Sequence, residues 1–269
     1  MWFIVEGRLP HRAEALLAMT LRDHSVVKNY IKLRLIHMIF NKTLFKLHSE
    51  FAQRNIHESD FLIEHAACDI MENIELLNIC PKNILEIGSR AGNLSNKLIA
   101  QFPDANLAQA EEENLPNKSF ELIASSMNFH WVNEVEKFLR KIHSILADDG
   151  RLVLNFAASG SLEHLKKFLL QCELDAGVGH SPHIMPFPKE EKVQTMFQQC
   201  GFKFVVVSTE KIELEYASPV RLMKDLKNMG ENNALMGGGG ILPRNVFTGN
   251  TGTFHDMLNL VTVVAGKNS

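Results

Sequence analysis

Residues 84–92 read Ile-Leu-Glu-Ile-Gly-Ser-Arg-Ala-Gly and run directly into the segment Leu94-Ser95-Asn96-Lys97-Leu98-Ile99. Residues suited to a buried strand are followed by a small-residue turn and by the start of a helix. Gly88 permits a sharp bend and a close backbone approach, and Glu86 lies near the carboxyl end of the strand, where open α/β sheets bind their ligands. The stretch predicts a nucleotide-like ligand at this turn, and the acid favours a ligand with cationic or hydroxyl groups.

The spacing of the glycines distinguishes between cofactors. A dinucleotide fingerprint requires glycine at positions 88, 90 and 93, and this chain has Gly88, Arg90 and Asn93. The pattern Glu-x-Gly-x-x-x-Gly, completed by Gly92, instead resembles the first motif of the Rossmann-like methyltransferases that use S-adenosylmethionine. The alternative is an ordinary glycine turn of an α/β protein.

Length and charge limit the classes of function. The 269 residues have room for one large α/β domain with an appendage, and the formal charge of −3 gives no basic stripe for nucleic acid. Partners are therefore expected to be small molecules or proteins. No apolar run approaches the roughly 20 residues of a membrane span. The cysteines form no C-x-x-C pair and are interpreted as reduced thiols; they are Cys68, Cys80, Cys172 and Cys200.

Two features at first suggest targeting or metal binding. Residues 1–37 hold six basic and three acidic side chains, faintly like a transit peptide, and we treat them as an extension separate from a domain at 38–269.

His180 and His183 flank Pro182, but no established metal-ligand spacing occurs among the histidines, so we predict no metal site.

Apolar periodicity predicts strands that alternate with helices, which favours a parallel sheet covered on both faces. The predicted strands are Asn83 to Ile87, Asn106 to Ala110, Ser119 to Ser126, Arg151 to Ala157, Phe202 to Val207 and Leu258 to Ala265. Predicted helices begin near Asp60, Leu94, Val135, Ser161, Val193 and Ser218. Gly237 to Gly240 are interpreted as a flexible joint.

Further segments carry a specific resemblance. Glu111 to Ile123 resembles the methyltransferase segment in which an acid near the end of the third strand meets the adenine. Ser125-Ser126-Met127-Asn128-Phe129-His130-Trp131-Val132 resembles the Ser-Leu-x-Leu-His-Trp signature of the malonyl-carrier-protein O-methyltransferases and of the related assembly factors of respiratory complex I. Residues 181–188, residues 216–235 and the segment from Phe40 resemble the substrate side of the second branch. The resemblance covers about residues 38 to 245.

This resemblance implies an α/β, Rossmann-like three-layer sandwich with a helical substrate-side insertion near 160–245. It implies S-adenosylmethionine as cofactor and a small molecule or a protein as methyl acceptor, such as an acyl carrier protein or a complex I subunit. It also implies a bacterial cytoplasmic location or, alternatively, the mitochondrial matrix. The implied cofactor-binding residues are Glu86, Gly88, Ser89, Gly92, Glu111, Glu112, Ser126 and Asn128, with His130 and Trp131 on the substrate side.

The chain departs from this family in two ways. Arg90 replaces a usual glycine and is expected to weaken cofactor binding through its charge. The segment between Phe102 and Leu115 has room for one short strand, so we expect one β-α unit of the cofactor half to be missing. Glu111 then fits both the ribose acid and the adenine acid, and the sequence leaves this choice open.

Three hypotheses follow: a methyltransferase that uses S-adenosylmethionine, a complex I assembly factor that modifies a protein arginine, and a non-catalytic remnant of the fold.

Overall fold

The protein is described by a computed structural model that covers residues 39–55, 60–89, 92–178, 181–236, 242, 247 and 252–268. The expectations for residues 1–37, for Arg90, for His180 and for the joint at 237–240 lie outside these residues. In chain order the elements are α1 (Lys42–Asn55), α2 (Phe61–Leu76), β1 (Asn83–Ile87), α3 (Asn93–Gln101), β2 (Asn106–Ala110), β3 (Phe120–Ser125), α4 (Val135–Ile145), β4 (Leu146–Ala157), α5 (Glu163–Ala176), α6 (Glu190–Gln199), β5 (Phe204–Tyr216), α7 (Pro219–Asn228) and β6 (Phe254–Gly266).

The strands form one sheet in the order β2-β1-β3-β4-β6-β5. Successive side chains of a strand point to opposite faces, and both faces are apolar here. Ile84 and Val153 pack with α2 and α3 on one face, whereas Leu85 and Leu152 pack with α4 and α6 on the other. This gives the three layers that the sequence implies.

The cofactor half is short by one β-α unit, as the spacing predicts. β2 is an edge strand, paired only with β1, and the chain between β2 and β3 contains a single 3-10 turn at Glu112–Asn114. Strands β1 and β3 are parallel neighbours, although β2 lies between them in sequence. The strand order therefore reverses at β1, which is the topological position where open α/β sheets bind ligands.

One strand departs from the parallel direction that the alternation of strands and helices favours. β6 runs antiparallel to both β4 and β5. Phe254 pairs with Tyr216, so the chain leaves β5, forms α7 and returns to the end of the sheet that it left. A return from the same end forces the antiparallel direction. Residues 160–245 hold α5, α6 and α7, but they also contain β5, a strand of the sheet.

Candidate functional site

A polar cleft lies at the carboxyl ends of β1 and β2. It has a volume of about 610 Å³, within the range of ordinary ligand sites. We call it the β1–β2 cleft; it is lined by Gln53, Ser89, Gly92, Gln109, Ala110 and Glu111. The cleft therefore joins residues after β1, residues at the end of β2 and one residue of α1.

Glu86 lies beside this cleft and is 2% exposed. Its Oε2 accepts hydrogen bonds from Ser95 Oγ and from Gln109 Nε2, the latter at 3.0 Å. Gln109 Nε2 also lies 2.6 Å from Ser95 Oγ and 3.2 Å from Ser89 Oγ. A buried carboxylate with these partners is held in one orientation, with capacity to accept further donors.

Gly88 forms the sharp turn after β1. Its φ is +70°, and a Cβ at this position would collide with the side-chain amide of Asn128. Gly88 N–H donates to Ala110 O at 3.0 Å, which ties the turn to the end of β2. The turn thus needs glycine both for its backbone angle and for the close approach of the buried Asn128.

The three acids after β2 separate in space. Glu111 lines the β1–β2 cleft at the end of the strand beside β1. Glu112 turns away and contacts Lys42 Nζ at 2.6 Å through Oε1, while its Oε2 is buried without a hydrogen-bond partner among the described residues. Burial raises the pKa of Glu112 to about 7, against the attraction of Lys42. Glu113 is 52% exposed.

The turn after β3 carries two more predicted residues, Ser126 and Asn128, at the carboxyl end of the strand beside β1. Ser126 Oγ is buried and has no hydrogen-bond partner among the described residues. Met127 follows with a φ of +50°, an uncommon value for a residue other than glycine. Its N–H donates to the backbone and side-chain oxygens of Asn155, both at 3.1 Å. The strained turn is therefore fixed from β4.

His130 and Trp131 are fully buried and meet on one carboxylate. Ala157 N–H donates to His130 Nδ1 at 3.3 Å, so Nε2 carries the ring proton and faces Glu231 Oε2 at 3.1 Å. Trp131 Nε1 donates to the same oxygen at 3.1 Å. Glu231 lies just after α7, about a hundred residues away in sequence.

Trp131 and Glu231 line a second cavity of about 290 Å³, which we call the apolar pocket. Its walls come from α2, the turn after β3, β4, α5 with the residue before it, residues 183–187, α7, residues 229–233 and β6, together with Leu242 and Phe247. The polar groups that line it include Glu231, Asn232 and His183. Asn232 Oδ1 is buried without a partner among the described residues, and none of the described lining residues is lysine or arginine.

His183 is held by a buried acid. Its Nε2 lies 3.0 Å from Glu173 Oε1, which also accepts from Ser181 N at 2.7 Å. In the described ranges, no group of three or more His, Cys, Asp or Glu side chains could hold a metal ion, and no helix there has the length and apolarity to cross a bilayer.

Several site residues were not foreseen. Gln109 of β2 is the register partner of Glu86 of β1, and each is the last residue but one of its strand. A polar residue at this position of the neighbouring strand could have been used to predict Gln109 from the sequence. Gln53 carried no local signal, whereas Lys42 and Glu231 lie in segments that resemble the substrate side without being singled out there. Each of the three reaches its site only through the tertiary fold.

The fold and the cleft define a class: a Rossmann-like α/β protein with a nucleoside-sized polar site where the strand order reverses. A sequence model of the methyltransferase domain family matches residues 62–207. The chain belongs to this family.

Three relatives show the range of the similarity. RP459 of Rickettsia prowazekii, assigned as a methyltransferase, is 36% identical over 173 residues, which cover 57% of this chain and 76% of that protein. Human mitochondrial arginine-hydroxylase NDUFAF5 is 28% identical over 247 residues, covering 81% of this chain and 71% of that protein. Malonyl-[acyl-carrier protein] O-methyltransferase 1 of Coxiella burnetii is 23% identical over 219 residues, covering 72% and 75%.

The alignments with other arginine-hydroxylases are shorter. The match to the zebrafish protein spans 51% of that protein, and the matches to the mouse and rat proteins span 48%.

Proposed function

We propose that this chain is a methyltransferase that holds S-adenosylmethionine in the β1–β2 cleft and its acceptor in the apolar pocket. The observation that carries the proposal is Glu86, a buried carboxylate held by Ser95 and Gln109 beside a glycine turn at the point where the strand order reverses.

The donor set of the cleft fits the cofactor. Glu111 lies at the end of the strand next to β1, where the acid that accepts ribose hydroxyls is expected, and this position favours the ribose role over the adenine role. Glu86 is suited to the amine of the methionine end. We assign the close backbone contacts to Gly88, Ser89 and Gly92, and further polar contacts to the turn residues Ser126 and Asn128.

Glu112 receives a different role from the one that the resemblance implies. Its Oε1 is engaged by Lys42, so we assign it to holding the loop after β2 rather than to contacting the cofactor.

Affinity for the cofactor is expected to be reduced. Because one β-α unit is missing, β2 is the edge strand beside the cleft. A full cofactor half has two strands whose ends supply the ribose acid and the adenine acid, whereas here Glu111 alone is available for both roles. The Glu86 carboxylate must also share its lone pairs with Ser95 and Gln109.

The chemistry requires little of the protein beyond placement. When bound, S-adenosylmethionine would supply a methyl group on a sulfonium: an oxygen or nitrogen nucleophile would bond to that carbon in line as the carbon–sulfur bond breaks and S-adenosylhomocysteine leaves. The apolar pocket excludes water and holds the acceptor, and such positioning and desolvation lower the barrier.

Calorimetric titration with S-adenosylmethionine and S-adenosylhomocysteine up to about 1 mM tests the cofactor assignment, since a dissociation constant of that size still corresponds to about 4 kcal/mol. Glu111→Ala is expected to weaken binding about tenfold, the loss of a hydrogen bond to a charged group. Asp104→Ala removes an exposed acid before the other end of β2 and serves as the control. Absence of heat and of a thermal shift for the unmodified protein would leave only the non-catalytic remnant.

A second candidate function is the modification of a protein arginine, and the apolar pocket favours it. Glu231 and Asn232 Oδ1 are acceptors, and the described lining residues include no lysine or arginine. A guanidinium group suits these acceptors, whereas the malonyl carboxylate of an acyl carrier protein would face Glu231 without a compensating charge. The name of the human relative, an arginine-hydroxylase, agrees with this preference.

Short blocked peptides that differ only in a central arginine, lysine or glutamate test the choice of acceptor in the presence of S-adenosylhomocysteine. We expect the arginine peptide to bind most tightly and Asn232→Ala to weaken it. Preference for the glutamate peptide would overturn this candidate and favour a malonyl-type acceptor. If the arginine peptide binds most tightly, the expected partner is a complex I subunit, in the bacterial cytoplasm or in the mitochondrial matrix.

A further inference from the structure

Lys42 stands between the two sites. It is the first residue of α1, and its Nζ lies 2.6 Å from Glu112 Oε1 in the loop after β2. The same Nζ donates to the carbonyl oxygen of Trp131 at 2.8 Å, in the turn after β3. A single ammonium group therefore joins the loop that carries Glu111 to the turn that carries Trp131.

Trp131 continues the connection into the apolar pocket. Its indole Nε1 donates to Glu231 Oε2 at 3.1 Å, and both residues line that pocket. These contacts form a continuous path from Glu112 through Lys42 and Trp131 to Glu231.

The start of α1 is held firmly enough to make this geometry specific. Asn133 Oδ1 accepts from the N–H groups of Ile39 and Phe40, each at 2.8 Å. The rings of Phe40 and Phe45 pack against Trp131 with centroids 5.1 and 4.9 Å away. Lys42 thus leaves a backbone that is fixed on the Trp131 turn.

The Lys42–Glu112 pair also differs from an ordinary surface ion pair, which contributes about 0–1 kcal/mol. The Glu112 side chain is 11% exposed and that of Lys42 20%. Removing one partner of a pair this sheltered leaves the other charge poorly solvated, so the loop after β2 has a reason to move when Lys42 is lost.

We propose that Lys42 is a positioning residue that couples occupation of the β1–β2 cleft to the shape of the apolar pocket. Ligand binding at Glu111 shifts the loop, Lys42 transmits the shift to the Trp131 carbonyl, and Trp131 moves with Glu231. Coupling of this kind is reciprocal, so an acceptor in the pocket tightens cofactor binding by the same factor. The inference rests on the proposed function, because the cleft must take the cofactor.

The chain offers a direct reporter for the test. It contains two tryptophans, Trp2 and Trp131, so Trp2→Phe leaves Trp131 as the sole indole fluorophore. In this parent, S-adenosylhomocysteine is titrated by calorimetry and by tryptophan emission. Lys42→Met keeps the apolar stem and removes the charge, Lys42→Arg keeps the charge, and Lys46→Met removes an exposed cation one turn further along α1.

We expect the parent to bind the ligand with a shift in Trp131 emission. Lys42→Met should bind it roughly fivefold or more weakly and lose the emission response. Lys42→Arg should recover part of both, and Lys46→Met should match the parent. Glu112→Gln tests the same link from the other side, and it carries the test if Lys42→Met does not fold by circular dichroism.

The outcomes separate the two claims. If the parent takes up no S-adenosylhomocysteine, the proposed function fails and the coupling fails with it. If the parent binds the ligand but Lys42→Met or Glu112→Gln shows the same affinity and the same emission shift, only the coupling is overturned.

Discussion

The β1–β2 cleft measures about 610 Å³ and takes most of its lining from the ends of two neighbouring strands, whereas the apolar pocket measures about 290 Å³ and draws its walls from helices, strands and loops between Leu62 and Leu258. The cleft is polar because strand ends and turns present backbone and short side chains. The pocket is apolar because helices packed over β4 and β6 enclose it. A cofactor common to a large family suits the first design, and an acceptor particular to one branch suits the second.

The largest expected effect tests how far the cleft depends on a close backbone approach. Gly88→Ala places a methyl group against Asn128 and forces a left-handed conformation, at a combined cost of about 4 kcal/mol. Urea denaturation measures the loss of stability. Gly177→Ala is the control, because its φ is +62° but nothing lies within 4 Å of the new methyl group, so only about 1 kcal/mol is expected. Equal losses in the two variants would show that Asn128 does not crowd the turn.

The second prediction concerns Glu112, the buried acid in the loop after β2 that contacts Lys42. The folded pKa of Glu112, about 7, is higher than the ordinary value of 4.5, so the folded protein binds its proton more tightly than the unfolded chain does. Stability contributed by this group is present below about pH 4.5 and is lost as the pH rises through about 7. Relative to Glu112→Gln, the unmodified protein should lose up to about 3 kcal/mol over this window.

Denaturation of both proteins at closely spaced pH values measures that difference. Glu72→Gln, which neutralises an exposed acid on α2, is the control, and its curve should run parallel to that of the unmodified protein. A Glu112→Gln curve that also runs parallel would mean that Glu112 titrates as an ordinary surface acid.

The structural features behind these predictions differ in how far they could be predicted from the sequence. The bounds of β1 and β2 and the loss of one β-α unit follow from local patterns: apolar runs, turn residues and the distance between motifs. Gly88 and Glu86 were identified because a turn at a strand end has a fixed geometry. The contact of Glu231 with Trp131 was not foreseen, because a hundred residues separate them and no spacing rule links them. The direction of β6 was missed for a similar reason, since alternation of elements does not fix the end from which a chain returns.

The third prediction tests the part that the sequence did not foresee. Glu231→Leu leaves the buried N–H groups of His130 and Trp131 without their acceptor, at a cost of about 2 kcal/mol. Thermal and chemical denaturation measure the loss, and Trp131 emission should shift with it. Glu215→Leu replaces an exposed acid on β5 and should change stability by less than about 0.5 kcal/mol. Similar small effects in both variants would mean that the Glu231 contacts contribute nothing to the pocket.

The smallest expected effect is informative through its sign. Gln109 donates to Glu86 and to Ser95, and this amide is exposed at the edge of the cleft. If the cofactor's amine must displace it from Glu86, Gln109→Ala should tighten the binding of S-adenosylhomocysteine by a few-fold, which is under about 1 kcal/mol. If Gln109 instead orients Glu86 for the cofactor, the same change should weaken binding.

Calorimetric titration distinguishes these outcomes, with Gln101→Ala at the exposed end of α3 as the control. We expect tightening, because Glu86 keeps its bond from the buried Ser95 and regains a lone pair for the ligand. Tightening would mean that the reduced affinity of the cleft comes partly from its own side chains, and not only from the β-α unit that it lacks.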